Sequence, residues 1–168
     1  ADPHLMVTVL CGPVAAGKTF LAQRLGREGA LVLSCDEMML TLFDRCLGPE
    51  HHDEMALRCL RYLFSVAVQE ARLGRDVVVD YGMWLRQERD AARQAFRNAG
   101  VPYRILLVEV DEATRLRRLE RRNEGLRHAD HRVYLIEGEL LERMDAKWQP
   151  LGPEETDVEL FRNDAELA

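Results

Sequence analysis

Lysine is nearly absent from this chain: of 23 basic residues only Lys18 and Lys147 are lysines, and the rest are arginines. Positive charge is also in deficit, since 29 acidic residues give a net charge of −6. That balance argues against a protein holding nucleic acid or a membrane surface by bulk charge, which needs a basic excess. Long apolar runs are missing; none approaches the ~20 residues of a membrane span, and no secretory signal opens the chain. A soluble cytoplasmic protein with no membrane partner is expected. The four cysteines (Cys11, Cys35, Cys46, Cys59) lack CxxC spacing, which leaves neither a disulfide framework nor a zinc site. His51-His52-Asp53 has no further ligand at metal spacing, so no metal is expected there. An arginine in so arginine-rich a chain says little by itself, whereas a lysine in a special place says more.

What is present is alternation. Leu5–Cys11 is a short apolar run of the kind buried on both faces of a parallel sheet. Ala30–Ser34, Val77–Asp80 and Arg104–Val110 read as further strands. Between them helices are predicted over Thr19–Arg27, Glu37–Leu42 (with Asp36 as a candidate cap), 54–73, 86–98, 112–122 and 137–147. Residues 123–136 are polar, and Val158–Phe161 is a candidate edge strand in an acidic close. Ala1–His4 read as a processed or artificial start and 162–168 as an acidic tail, leaving one domain over 5–161. The expected fold class is α/β: a mainly parallel sheet of order 2-3-1-4, with a candidate fifth strand, between helical layers. Ligands of such sheets sit at the carboxyl ends of the strands.

Gly12-Pro13-Val14-Ala15-Ala16-Gly17-Lys18-Thr19 matches GxxxxGK[ST] in full. The spacing wraps successive backbone N–H groups around a phosphate, and glycine permits the required close approach. The helix starting at Lys18 aims its positive end at the same phosphate. Lys18 would reach the β and γ oxygens, and Thr19 would ligate Mg²⁺. Gly12 to Phe20 are therefore the candidate nucleotide-binding residues of a P-loop NTPase.

The class of NTPase follows by elimination. No guanine-reading NKxD element exists, Tyr81 stands where many motor ATPases place a water-activating glutamate, and the length leaves little room for an extra helical subdomain. A small phosphotransferase remains. It needs a base for the acceptor hydroxyl and cations over the phosphates. Asp36, just past the second strand, suits the base, with helix capping as its plainer alternative. Asp80 closes the third strand and would hold Mg²⁺ through water or orient the acceptor. Arg115, Arg118 and Arg122 share a helical face, opposite Leu116 and Leu119, within a lid expected at about 115–136. Arg118 and Arg122 are the catalytic candidates there. Tyr81 and Trp84 are candidate acceptor contacts, and Met38, Met39 and Phe43 would either line that pocket or fill core.

These residues resemble the small P-loop kinases grouped with polynucleotide 5′-kinase domains, zeta toxins and chloramphenicol phosphotransferase. The likeness runs from about Val7 to Glu155. It rests on VTVLCGPVAAGKTFLAQRL, LVLSCDE, the stretch from DVVVDYGMW to RRLERRN, and EGELLERMDAKWQPLGPEE. The resemblance implies a base at Asp36, an acceptor or metal-water contact at Asp80, and a lid arginine at Arg118 or Arg122. Thr19 is a conservative departure; Ala15-Ala16 stands where Gly-Ser is commoner. The family shares its donor, ATP, and not its acceptor. The expectation is an ATP- and Mg²⁺-dependent kinase acting on a hydroxyl of an antibiotic, sugar or nucleoside-like small molecule. The alternatives are a polynucleotide or nucleoside 5′-hydroxyl kinase, a non-catalytic ATP-binding regulatory module, and a toxin-like subunit. The acidic charge favours a small acceptor over nucleic acid; the oligomeric state is not legible.

Overall fold

The computed structural model describes residues 6–44, 46–126 and 136–163. Five strands run parallel: β1 (Val7–Cys11), β2 (Leu31–Ser34), β3 (Val77–Asp80), β4 (Tyr103–Glu109) and β5 (Val158–Arg162), in the order β2-β3-β1-β4-β5. The helices are α1 (Lys18–Arg27), α2 (Cys35–Phe43), α3 (Pro49–Arg72), α4 (Arg86–Ala99), α5 (Glu112–Leu126) and α6 (Gly138–Ala146). The expected α/β class, the order 2-3-1-4 and the fifth strand are all present. No helix among the described residues is long and apolar enough to cross a membrane.

Burial explains why the inner strands read so clearly. Every residue of β1 and β3 is buried, because a parallel sheet carries helices on both faces. Val7, Val9, Val77 and Val79 point into one core with Met39, Leu60, Phe64, Ala92 and Phe96 of α2, α3 and α4. Leu10, Val78, Leu106 and Val108 point into the other, against Leu21 and Ala22 of α1. Edge strand β5 exposes Glu159, Leu160 and Arg162.

Some boundaries move. Helix α3 begins at Pro49 rather than at 54, its proline at the first turn where no N–H is needed. Helix α5 runs to Leu126. Ser34, not Asp36, caps α2: its hydroxyl accepts from the Glu37 N–H at 3.2 Å. Residues 1–5, residue 45, the 127–135 part of the expected lid and residues 164–168 of the expected tail lie outside the described residues.

A buried ion network ties the chain after α6 to helix α4. Arg89 is completely buried; its Nε and Nη2 donate to Glu155 at 2.8 and 2.9 Å, and its Nη1 donates to the Met83 carbonyl at 3.0 Å. Arg93 donates to Glu155 at 2.7 Å and to Asp157 at 2.8 Å. The two guanidinium groups hold the Glu155 carboxyl down to about 2 against the cost of its burial. Its contribution is therefore present above the ordinary glutamate range and is lost as pH falls toward 2. Removing one partner from such a cluster leaves a buried charge uncompensated, so Glu155→Gln should cost about 3 kcal/mol. Urea denaturation at neutral pH would measure it, and the difference from wild type should shrink on acidification.

Candidate active site

The parallel arrangement brings the carboxyl ends of β1, β2 and β3 to one edge of the sheet. There a cleft of about 1600 Å³ opens, larger than a typical single-ligand pocket and roomy enough for a donor and an acceptor together. Lys18, Thr19, Phe20, Asp36, Asp80, Tyr81, Trp84, Arg118 and Arg122 all line it. The sequence-derived candidates thus converge from separate segments of the chain.

The loop Gly12–Thr19 has its conformation fixed from outside. Gly12 has φ +146°, and a Cβ there would come within 2.5 Å of the Val108 carbonyl oxygen. Gly17 has φ +102°, and a Cβ would meet the Asn163 amide nitrogen at 2.0 Å. Asn163 in turn donates to the Ala16 carbonyl at 3.2 Å and lies buried beneath the loop. Ala15 adopts φ +61°, a left-handed conformation that costs an alanine roughly 1–2 kcal/mol; the loop geometry overrides that preference. Of the candidate loop residues, Val14, Ala15, Gly17, Lys18 and Thr19 face the cleft; Gly12 and Ala16 are buried behind it, and Pro13 is half-buried.

Lys18 donates to the carbonyls of Gly12 and Pro13 at 2.7 and 2.6 Å. Burial lowers its pKa to about 8, with Asp80 and Asp36 pulling in the opposite direction. The Thr19 hydroxyl donates to Asp80 Oδ2 at 3.2 Å. That pairing sets two hard oxygen donors together beside the phosphate loop, which fits Mg²⁺ held mainly by phosphate and water. Among the described residues no cluster of three or more His, Cys, Asp or Glu forms an all-protein metal cage.

Asp36 and Asp80 come from neighbouring strand ends: Ser34 pairs with Asp80 in the β2–β3 register, and Asp36 lies two residues beyond, in the first turn of α2. The Asp36 side chain reaches open cleft and makes no hydrogen bond among the described residues. Enclosure within the cleft raises its pKa, and the Asp80 carboxylate raises it further, while Lys18, His52 and Arg122 counter both. Asp80 is raised by burial and lowered by Lys18 and Thr19. Arg122 feels both carboxylates across the cleft.

Other assignments change. Trp84 lines the cleft, but its indole N–H donates to the Gly12 carbonyl at 2.8 Å, so it also braces the phosphate loop. Gly82 makes room for that ring, since a Cβ would approach Trp84 Nε1 to 2.4 Å. Met39 is core, and Met38 and Phe43 pack against the same core; none of the three lines the cleft described above. Arg115 is a structural residue. It is buried, donates to the Val14 carbonyl at 3.3 Å, and pairs with Glu112 and Asp145 at 2.8 and 3.0 Å. Of the two leucines opposite that arginine face, Leu119 is buried and Leu116 is exposed. Arg118 donates to the Asn163 carbonyl at 3.0 Å.

Sequence reasoning missed Asn163, which lay in the supposed tail. It also missed Arg143 and Lys147, which bring α6 to the cleft. The rarity of lysine was the one available signal for Lys147.

Known structures share this architecture. The APS kinase CysC of Mycobacterium tuberculosis, solved in complex with AMPPNP and APS, is 23% identical with a TM-score of 0.67, over 98% of this chain and 91% of that chain. Kti12 of Chaetomium thermophilum, in complex with ADP-AlF3, is 18% identical with a TM-score of 0.64, over 95% and 89%. A gluconokinase from Sinorhizobium meliloti 1021 is 15% identical with a TM-score of 0.59, over 94% and 82%. At these identities the likeness shows the fold alone. No curated protein matches the sequence. The family model described as AAA domain matches residues 7–150, most of the chain and all of the phosphate loop, and the chain belongs to that AAA domain family.

Proposed function

We propose that the protein is a phosphotransferase that moves the γ-phosphate of ATP, with Mg²⁺, to a hydroxyl group of a small molecule. The observation that carries this reading is the division of labour between two neighbouring carboxylates. Burial raises the pKa of both carboxyls, but Asp80 is engaged by Thr19 beside the phosphate loop, whereas Asp36 faces the same cleft with no hydrogen-bond partner among the described residues. A base near a reacting hydroxyl needs that freedom and that basicity.

In the step, the acceptor O–H gives its proton to an Asp36 carboxylate oxygen as the acceptor oxygen bonds to the γ-phosphorus. The bond from that phosphorus to the β–γ bridging oxygen breaks, and ADP leaves with the electron pair. Lys18 and Arg122 face the phosphate charge, and the backbone N–H groups of the loop hold the phosphates in line. Mg²⁺, when bound at Thr19 and Asp80, would neutralise charge on the β and γ oxygens.

A phosphoryl-transfer screen with γ-labelled ATP tests the reading, with sugars, nucleosides, hydroxylated antibiotics and 5′-hydroxyl oligonucleotides assayed side by side. Label moving to a small hydroxyl compound is the expected result. Transfer to oligonucleotides alone would favour a polynucleotide kinase. ATP binding without transfer to any acceptor would favour a regulatory module.

A further inference from the structure

Positive charge is concentrated in the cleft. Seven lysine and arginine side chains line it against four carboxylates, although the chain as a whole carries −6. Five of the seven cations belong to the phosphate loop and α5, on the side where a triphosphate would lie. The other two, Arg143 and Lys147, come from the end of α6. They are four residues apart and so share a helical face.

Helix α6 bridges the two sides of the cleft. Its Leu140 and Met144 pack with Val14 and Trp84 at the phosphate loop. Its far end reaches α3, where Lys147 Nζ pairs with Asp53 at 2.9 Å. His52 sits on that pair, its Nδ1 3.5 Å from Asp53 Oδ1, and lines the same cleft as Asp36, so this end of α6 shares the cleft with the proposed base. Lys147 is thus balanced by Asp53. Arg143 is different: it is exposed to the cleft and makes no ion pair or hydrogen bond among the described residues. A guanidinium there offers a planar fork of donors matched to a carboxylate, sulfate or phosphate.

We infer that Arg143, flanked by Lys147 and His52, is an anion subsite for the acceptor, which is therefore a small hydroxyl compound carrying an oxyanion group. The inference rests on the phosphotransferase reading for the word acceptor, while the subsite itself can be measured without turnover. A small anion fits better than a polyanion, because the positive charge is gathered inside the cleft while the chain as a whole is acidic.

The experiment has two arms. In the first, the protein is loaded with AMPPNP so that the γ-phosphate position is filled, and inorganic phosphate and glycerate are titrated by calorimetry. Saturable binding is expected, weakened about tenfold or more by Arg143→Met, as the loss of a charge-assisted contact requires, and largely restored by Arg143→Lys. Melting temperatures establish that the variants fold. No saturable binding, equal binding by the Met variant, or a loss explained by weaker AMPPNP binding would overturn the subsite. In the second arm, transfer to glycerol is compared with glycerate and glycerol 3-phosphate, and transfer to adenosine with adenosine 5′-monophosphate. The anionic members should be preferred about tenfold, and Arg143→Met should erase the preference. Equal use of neutral and anionic acceptors would overturn the acceptor subsite while leaving the kinase reading intact. Conversely, Arg143-dependent phosphate binding without transfer to any acceptor would support the anion site and overturn the kinase reading.

Discussion

Lys18→Ala should lower kcat/KM for ATP by about 10³–10⁵-fold, the range seen when a cation facing a transferring phosphoryl group is removed. Lys18 is prepared for this role in two ways. Its ammonium rests on the Gly12 and Pro13 carbonyls at 2.7 and 2.6 Å, so it is already held at the rim of the phosphate loop. Burial has also brought its pKa to about 8, and an arriving triphosphate would supply the counter-charge that burial withholds, drawing the proton more tightly to Nζ. The fold should survive, because Lys18 lines the cleft and its ammonium bonds only carbonyls of the phosphate loop among the described residues. Steady-state transfer from labelled ATP, with a melting curve beside it, checks both halves. Lys18→Arg should recover little, since a planar fork cannot replace a compact ammonium seated between two carbonyls. Undiminished transfer by the alanine variant would remove the phosphate loop from the mechanism.

The parts of this molecule that are legible in the sequence share a physical trait: their signal is local. The strands β1 and β3 read as unbroken apolar runs because helices cover both faces. Gly12–Thr19 is a contiguous motif because one phosphate is wrapped by one loop. Asp36 stands just past β2, as its place in the sequence implies, but sequence alone leaves it open between base and cap. Ser34, the residue before the helix, takes the capping role: its hydroxyl accepts the Glu37 N–H and frees the Asp36 carboxylate. The illegible parts depend on partners far apart in the chain. Arg89 meets Glu155 across 66 residues, and Asn163 meets Ala16 across 147. Neither carries a pattern of its own, and in so arginine-rich a chain Arg89 and Arg93 look like any solvated helix face. Arg115 misleads for the same reason: it shares a face with Arg118 and Arg122, yet Glu112 and Asp145 occupy its guanidinium.

Asp36→Asn should reduce kcat by about 10²–10⁴-fold, the usual contribution of a positioned general base, while leaving ATP affinity close to wild type. The reason for the split is geometric. Asp80, not Asp36, is hydrogen-bonded to Thr19 beside the phosphate loop, so the nucleotide keeps its contacts when the Asp36 carboxylate is lost. The pH dependence sharpens the test. A general base works only when deprotonated, and enclosure together with Asp80 has raised the Asp36 pKa above the ordinary aspartate range. Wild-type turnover should therefore fall as pH drops through that raised value, earlier than an unperturbed aspartate would cause. Asparagine cannot titrate, so the variant should lose that acidic limb and keep a flat, low rate across it. An acidic limb that survives in Asp36→Asn would assign the titration to Asp80. A collapse of ATP affinity would place Asp36 among the donor contacts and leave the acceptor hydroxyl without its base.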